Sequence, residues 1–183
     1  MPRIETERLV LRLPEEADID ALDAMDTDPE VMRYIGDGKV HPRTREQTAG
    51  FVAATARKWA ERGLGWLSVT SRETGEFLGW VILAEPAFLP EVMPTVEIGW
   101  RFRREHWGQG YATEAARPFL HHAFTACGLE QLVSIADIEN TASHHVMEKL
   151  GLRFGHETVV PSSGRRVAVY QLSRAEYEAM GNR

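Results

Sequence analysis

A short loop holding Gly108 and Gly110 lies between an apolar run ending at Phe102 and a strongly amphipathic stretch that starts near Gly110. Glycines let a backbone approach a ligand closely, and the first amides of a helix point outward without intrahelical partners. The helix dipole adds roughly half a positive charge at that end, so a pyrophosphate can be held there without any lysine. Taken alone, a Gly-x-Gly more often does no more than shape a tight turn. Two phosphate motifs are excluded: a dinucleotide fingerprint wants Gly or Ala where Thr113 stands, and a P-loop needs a Gly-Lys-Ser/Thr that is missing. Upstream, Glu97 alternates with Val96, Ile98, Trp100 and Phe102, which puts it on the opposite strand face together with Gly99. Such a carboxylate can act as a base, and a solvated or ion-paired glutamate fits equally well. Asn140 immediately precedes a helical stretch, where capping is an ordinary role for asparagine.

Other reactive side chains are less suggestive. His121-His122 and His144-His145 are adjacent pairs whose members point to different helix faces, and no carboxylates or cysteines stand near them at ligand spacing. They read as surface histidines, and no metal is expected. Cys127, the single cysteine, falls on the apolar stripe of its helix and reads as an inert buried thiol.

The elements that must position these residues follow from periodicity and punctuation. Residues 8–13 alternate as a strand, residues 15–26 read as a helix, and Asp28-Pro29 starts a further helical turn. Residues 44–62 form a helix with Gly63 just past its end. Strands follow at 65–71, 76–83 and 95–102, with Gly99 marking a bulge or a close backbone approach. Ala112, Ala115, Ala116, Phe119, Leu120, Ala123, Phe124 and Cys127 recur at three- and four-residue spacing along a long helix that Gly128 ends. Pro118 inside it should remove one hydrogen bond and bend the axis. A strand at 132–137, a helix at 141–150 ended by Gly151, and a closing strand pair at 153–160 and 166–172 complete the chain. The fold class is α/β (α+β), a mixed sheet with helices on its faces, and residues 1–183 are expected to form a single domain.

Composition limits the functions this domain can have. With 183 residues, 43% hydrophobic and 26% charged, the chain is an ordinary globular one that can bury a sizeable core. A net charge of −6 gives no global field for nucleic acid or an anionic membrane, and neither is an expected partner. Residues 1–13 lack a signal-peptide core, no apolar run approaches the roughly 18 residues of a membrane helix, and the lone cysteine forms no internal disulfide. A cytoplasmic location is expected. The connection 85–94, with Phe88, Leu89, Val92 and Met93 among three prolines, is too apolar for an idle loop. It reads as a lid or a subunit contact; the contact, and with it a homodimer, is the favoured reading.

The longer pattern around the glycine loop is more specific. Trp107-Gly108-Gln109-Gly110-Tyr111-Ala112-Thr113-Glu114-Ala115, then Glu139-Asn140-x-x-Ser143, then Met147-Glu148-Lys149-Leu150-Gly151-Leu152 resembles the GCN5-related N-acetyltransferase superfamily. Thr6-Glu7-Arg8-Leu9-x-Leu11-Arg12 and Gly75-Glu76-Phe77-Leu78-Gly79-Trp80 are similar to its branch that acetylates ribosomal-protein N-termini and small amines. The resemblance runs from about residue 4 to 177. It implies a twisted, mostly antiparallel sheet of about seven strands whose fourth and fifth strands splay apart. It also implies acetyl-CoA as cosubstrate, its pyrophosphate on the backbone of Trp107, Gly108, Gln109, Gly110, Tyr111, Ala112 and Thr113. The pantetheine arm would pair with Trp100, Arg101 and Phe102, and Asn140 and Ser143 would also meet it. Arg103 and Arg104 either reach phosphates or are simply solvated.

The implied reaction is direct transfer to a primary amine, on a peptide N-terminus or a small molecule. Glu97 is the candidate base, because an amine with a pKa near 10 must lose a proton to attack. The superfamily often places a thiolate-protonating tyrosine where Met147 stands; Ser143 is the substitute here. Tyr34, Trp66 and the 36–42 loop are expected to shape the acceptor pocket. The alternative is a catalytically silent CoA-binding sensor or interaction module.

Overall fold

The protein was analysed as a computed structural model, which describes residues 2–181. The elements run β1 (Arg3–Glu5), β2 (Leu9–Arg12), α1 (Ile19–Asp26), α2 (Pro29–Met32), α3 (Arg45–Arg62), β3 (Gly65–Ser71), β4 (Phe77–Ala84), β5 (Val96–Phe102), α4 (Tyr111–Thr125), β6 (Gln131–Asp137), α5 (Thr141–Lys149), β7 (Arg153–Val159), β8 (Arg166–Ser173) and α6 (Arg174–Gly181). One sheet holds all these strands in the order β1-β2-β3-β4-β5-β6-β8-β7. Neighbours are antiparallel except β5 and β6, which run parallel and pair only at Val96↔Leu132 and Glu97↔Val133.

Local sequence explains where the helices begin and end. Thr44 caps α3 in a reciprocal box with Gln47, and Gly63 ends it at φ 64°. The Asp28 carboxylate accepts from the Glu30 amide at 2.9 Å and starts α2 at Pro29. Helix α4 continues through Pro118. Its Ala115, Ala116, Phe119, Leu120, Ala123 and Phe124 are buried against Leu67, Val81, Ile98 and Leu132 of the sheet. Each such large side chain contributes roughly 1.5–3 kcal/mol on burial. On the other face, Leu22 and Met25 of α1 and Val31 of α2 pack on Trp66 and Phe77.

Four details differ from the sequence reading. The sheet has eight strands rather than seven, because β1 is a three-residue Arg-Ile-Glu edge without an apolar pattern. A final helix, α6, is held by Tyr177 stacked at 4.7 Å on Phe124 rather than by an apolar stripe. Gly99 lies in regular register opposite Ile82, and the bulge is in β3 between Val69 and Thr70. The close backbone approach is at Gly79, where a Cβ would lie 2.2 Å from the Arg101 carbonyl oxygen and 2.7 Å from the Phe102 Cα. Finally, α4 ends at Thr125, so Cys127 lies past the helix, half-buried, with Sγ 3.6 Å from the Gly63 carbonyl.

Candidate active site

Beyond Glu97 the β6-facing edge of β5 has no strand partner, and the gap opens into a cleft of about 380 Å³. Trp100, Arg101 and Phe102 line it along the strand, and Trp107, Gly108, Gly110, Tyr111, Ala112 and Thr113 line it at the loop. Asn140 and Ser143 line it from α5. Two of the expected cofactor-binding and catalytic residues do not. The Gln109 side chain turns back to the Glu105 carbonyl at 3.1 Å, and Glu97 stands at the vertex where the strands part.

The loop owes its shape to backbone conformation. Gly108 and Gly110 have φ of 74° and 81°, and no side chain caps α4. A Cβ at Gly108 would meet nothing within 4 Å, so the requirement there is left-handed φ rather than room. The amides of the first α4 turn are therefore left for a ligand. The Trp107 indole, itself 48% exposed, donates to the Phe102 carbonyl at 2.8 Å and ties the loop to the end of the open strand edge. Arg103 binds Glu76 and Glu105 at 3.0 and 2.5 Å, and Arg104 pairs with Asp28 at 3.3 Å. Neither lines the cleft.

Glu97 shares the sheet face of Gly99 and Arg101, opposite Val96, Ile98 and Phe102 of the core. Solvent reaches part of the residue, yet its carboxyl is deep enough for burial to push its pKa up to about 8, against a smaller lowering by the Ile135 backbone N–H. The Asn140 side chain caps α5, accepting from the Ser143 amide at 3.2 Å, and it also faces the cleft. Met147 is 1% exposed within the core, so no proton donor stands at that position. Cys127 has its pKa raised by burial.

At the far end Tyr34 and Ile35 line the cleft, with Glu30 and Val31 of α2. Trp66, expected there, is instead stacked on Phe51 at 5.4 Å, away from the cleft lining. In the 85–94 connection Leu89 is fully buried against Val133, Val160, Val167 and Val169. Phe88 and Met93 are exposed, and none of the segment lines the cleft. Of the histidines, His122 bonds the Gly63 carbonyl at 2.8 Å, His144 stacks on Tyr170 at 5.5 Å, and His145 lines the cleft. Among the described residues no group of three or more metal-ligating side chains occurs, and no helix is long and apolar enough to cross a membrane. Sequence reasoning missed the contact of Thr6 and Arg8 with Glu114, because about a hundred residues separate the partners.

Residues 8–153 match the family of acetyltransferase (GNAT) domains. YkkB of Bacillus subtilis is 34% identical over 92% of this chain and 94% of its own. The FsC-acetyl coenzyme A-N(2)-transacetylase of Aspergillus fumigatus is 30% identical, over 85% of this chain and 69% of its own. Among solved structures, a GNAT-family acetyltransferase from Bacillus anthracis superposes with a TM-score of 0.76 at 28% identity, over 95% of this chain and 99% of that one. RimL, the ribosomal L7/L12 α-N-protein acetyltransferase solved with coenzyme A, shares the fold alone: TM-score 0.74 at 15% identity, over 94% and 98% of the two chains. The parted strands, the uncapped helix and the matched sequence agree: the chain belongs to the GNAT acetyltransferase family.

Proposed function

We propose that the protein transfers the acetyl group of acetyl-CoA directly to a primary amine on a peptide N-terminus or a small molecule. The observation that carries this reading is the unpaired β5 edge running straight into the uncapped start of α4. An extended pantetheine amide chain suits the strand edge, and a diphosphate suits the helix amides. A backbone N–H on that edge would stabilise the negative charge that develops on a thioester oxygen.

The amine attacks the thioester carbon, the C–S bond breaks, and the proton shed by nitrogen goes to Glu97, directly or through one water. A pKa of about 8 suits a base for this task, since the conjugate acid can pass the proton on to solvent. The departing thiolate, with an ordinary pKa near 8.5, needs little help, and the Ser143 hydroxyl in the cleft supplies a donor. Exposed Phe88 and Met93 support pairing of two chains through the 85–94 connection. A monomer by sedimentation at micromolar concentration would remove that part of the reading.

The test of the cofactor site is isothermal titration of acetyl-CoA into the wild type and Gly110→Trp, followed by CoA release with a panel of amines. Micromolar binding that the tryptophan abolishes is the expected result. Absence of binding to the wild type would overturn the reading.

A further inference from the structure

The start of α4 carries a conflict of charge. Glu114 sits in the first turn of the helix, and a carboxylate there competes with any bound anion for the positive end of the dipole. A hollow of about 360 Å³ adjoins the cleft across Gly110, Thr113 and Lys149, and it is lined by Glu7 and Glu114 as well as Arg117. Two carboxylates thus border the place where a polyphosphate end would lie, beside the cations Arg117 and Lys149.

Arg8 answers this conflict from the other end of the chain. Its backbone N–H donates to one Glu114 oxygen at 2.9 Å and its Nε to the other at 2.7 Å. The Thr6 hydroxyl adds a bond of 2.6 Å to the first oxygen. Burial works against charge on Glu114, but these donors outweigh it and hold its pKa below the usual carboxylate range. The carboxylate is ionised, and Arg8 is its counter-charge. The same guanidinium donates to the Gln109 carbonyl in the glycine loop at 3.0 Å and lies 4.5 Å above the Tyr111 ring. One side chain therefore touches both neighbours of Gly110, the Gln109 backbone and the Tyr111 ring.

We propose that Arg8 is a positioning residue for acetyl-CoA: it cancels the Glu114 charge, so that the α4 amides present a net positive end to the diphosphate. This rests on the acetyl-CoA reading above. A plain structural staple between β2 and α4 would use the same contacts, and the two roles differ in what happens when Glu114 also loses its charge.

The experiment is titration of acetyl-CoA into the wild type, Arg8→Met, Glu114→Gln and the double variant, each checked for folding by circular dichroism. Met keeps the stem over Tyr111, and Gln keeps an acceptor for Thr6. Charge cancellation predicts that Arg8→Met weakens binding about tenfold, because an unshielded carboxylate faces the anion. Glu114→Gln alone should bind at least as tightly as the wild type, and the double variant should return to within about threefold of it. The Arg8→Met deficit should shrink in high salt, which screens the exposed charge. Arg8→Lys, should Arg8→Met fold poorly, keeps the charge and should stay within about threefold. A double variant or Glu114→Gln that binds as weakly as Arg8→Met would overturn the proposal and leave a staple. A wild type that does not bind acetyl-CoA removes the cofactor reading itself, an outcome distinct from either.

Discussion

The two ends of the cleft are built from different materials. At the loop end the working groups are backbone: an unpaired strand edge, two left-handed glycines and the amides of α4. At the far end they are side chains and a loop held by long-range ties. Tyr34 and Ile35 follow α2, and Arg165 from the turn between β7 and β8 fixes that segment. Arg165 bonds the Arg33 carbonyl at 3.0 Å and Asp137, at the end of β6, at 2.7 Å. It therefore ties the end of β6 to the segment after α2. Gly38 makes room for it, since a Cβ there would lie 2.6 Å from Arg165 Nη1. A backbone site tolerates sequence drift, whereas a side-chain site changes with one or two substitutions. A common acetyl donor with divergent acceptors is the expected consequence.

The strongest probe of this division is its midpoint, Glu97. Glu97→Gln should lower kcat/KM at least about a hundredfold while leaving the acetyl-CoA Kd unchanged. The wild-type rate should climb through about pH 8 as Glu97 ionises, and the variant should lose that inflection. Stability should move the opposite way. The folded pKa is raised above the unfolded value, so the stabilising contribution of Glu97 is full below the unfolded pKa and is lost as pH rises through about 8. Above that pH thermal melting should show Glu97→Gln more stable than the wild type. A variant slower yet no more stable in alkali would show that the carboxyl is better solvated than its surroundings imply.

A smaller effect separates the ends themselves. Arg165→Met leaves Asp137, 8% exposed at its side chain, without its guanidinium partner. We expect a loss of about 2 kcal/mol, read as a melting temperature lower by roughly 4–8 °C. The KM for the acceptor should rise several-fold while the acetyl-CoA Kd stays fixed. Equal weakening of both would break the division, because the tie would then hold the whole cleft rather than its far end.

The same division governs what could be read from sequence. Gly108, Gly110 and the stripe from Ala115 to Phe124 were legible because local periodicity and helix-end chemistry fix them within twenty residues. The strand parting beyond Glu97 came from resemblance to a family, not from spacing. The Arg8–Glu114 and Arg165–Asp137 pairs were not legible, since charged residues carry no period and find partners only when the fold brings distant segments together. Trp66 was misplaced for a related reason: alternation gives the face of a strand but not which neighbour covers it, and Phe51 covers Trp66. Strand β1 and helix α6 lacked the apolar pattern that periodicity detects; their evidence lies in the edges and rings they contact.

The most delicate test lies at Asn140, where backbone and side-chain roles meet. Its Oδ1 caps α5 through the Ser143 amide, while the residue also lines the cleft. Serine is an equally good cap without the amide donor, so Asn140→Ser should leave the melting temperature nearly unchanged. Alanine removes the cap and should cost about 1 kcal/mol. If the Asn140 amide meets the cofactor, the serine variant should raise the acetyl-CoA KM about threefold, the size of one modest hydrogen bond. An unchanged KM in serine beside a destabilised alanine would assign Asn140 to the helix alone, and α5 would then serve the cleft only by its position.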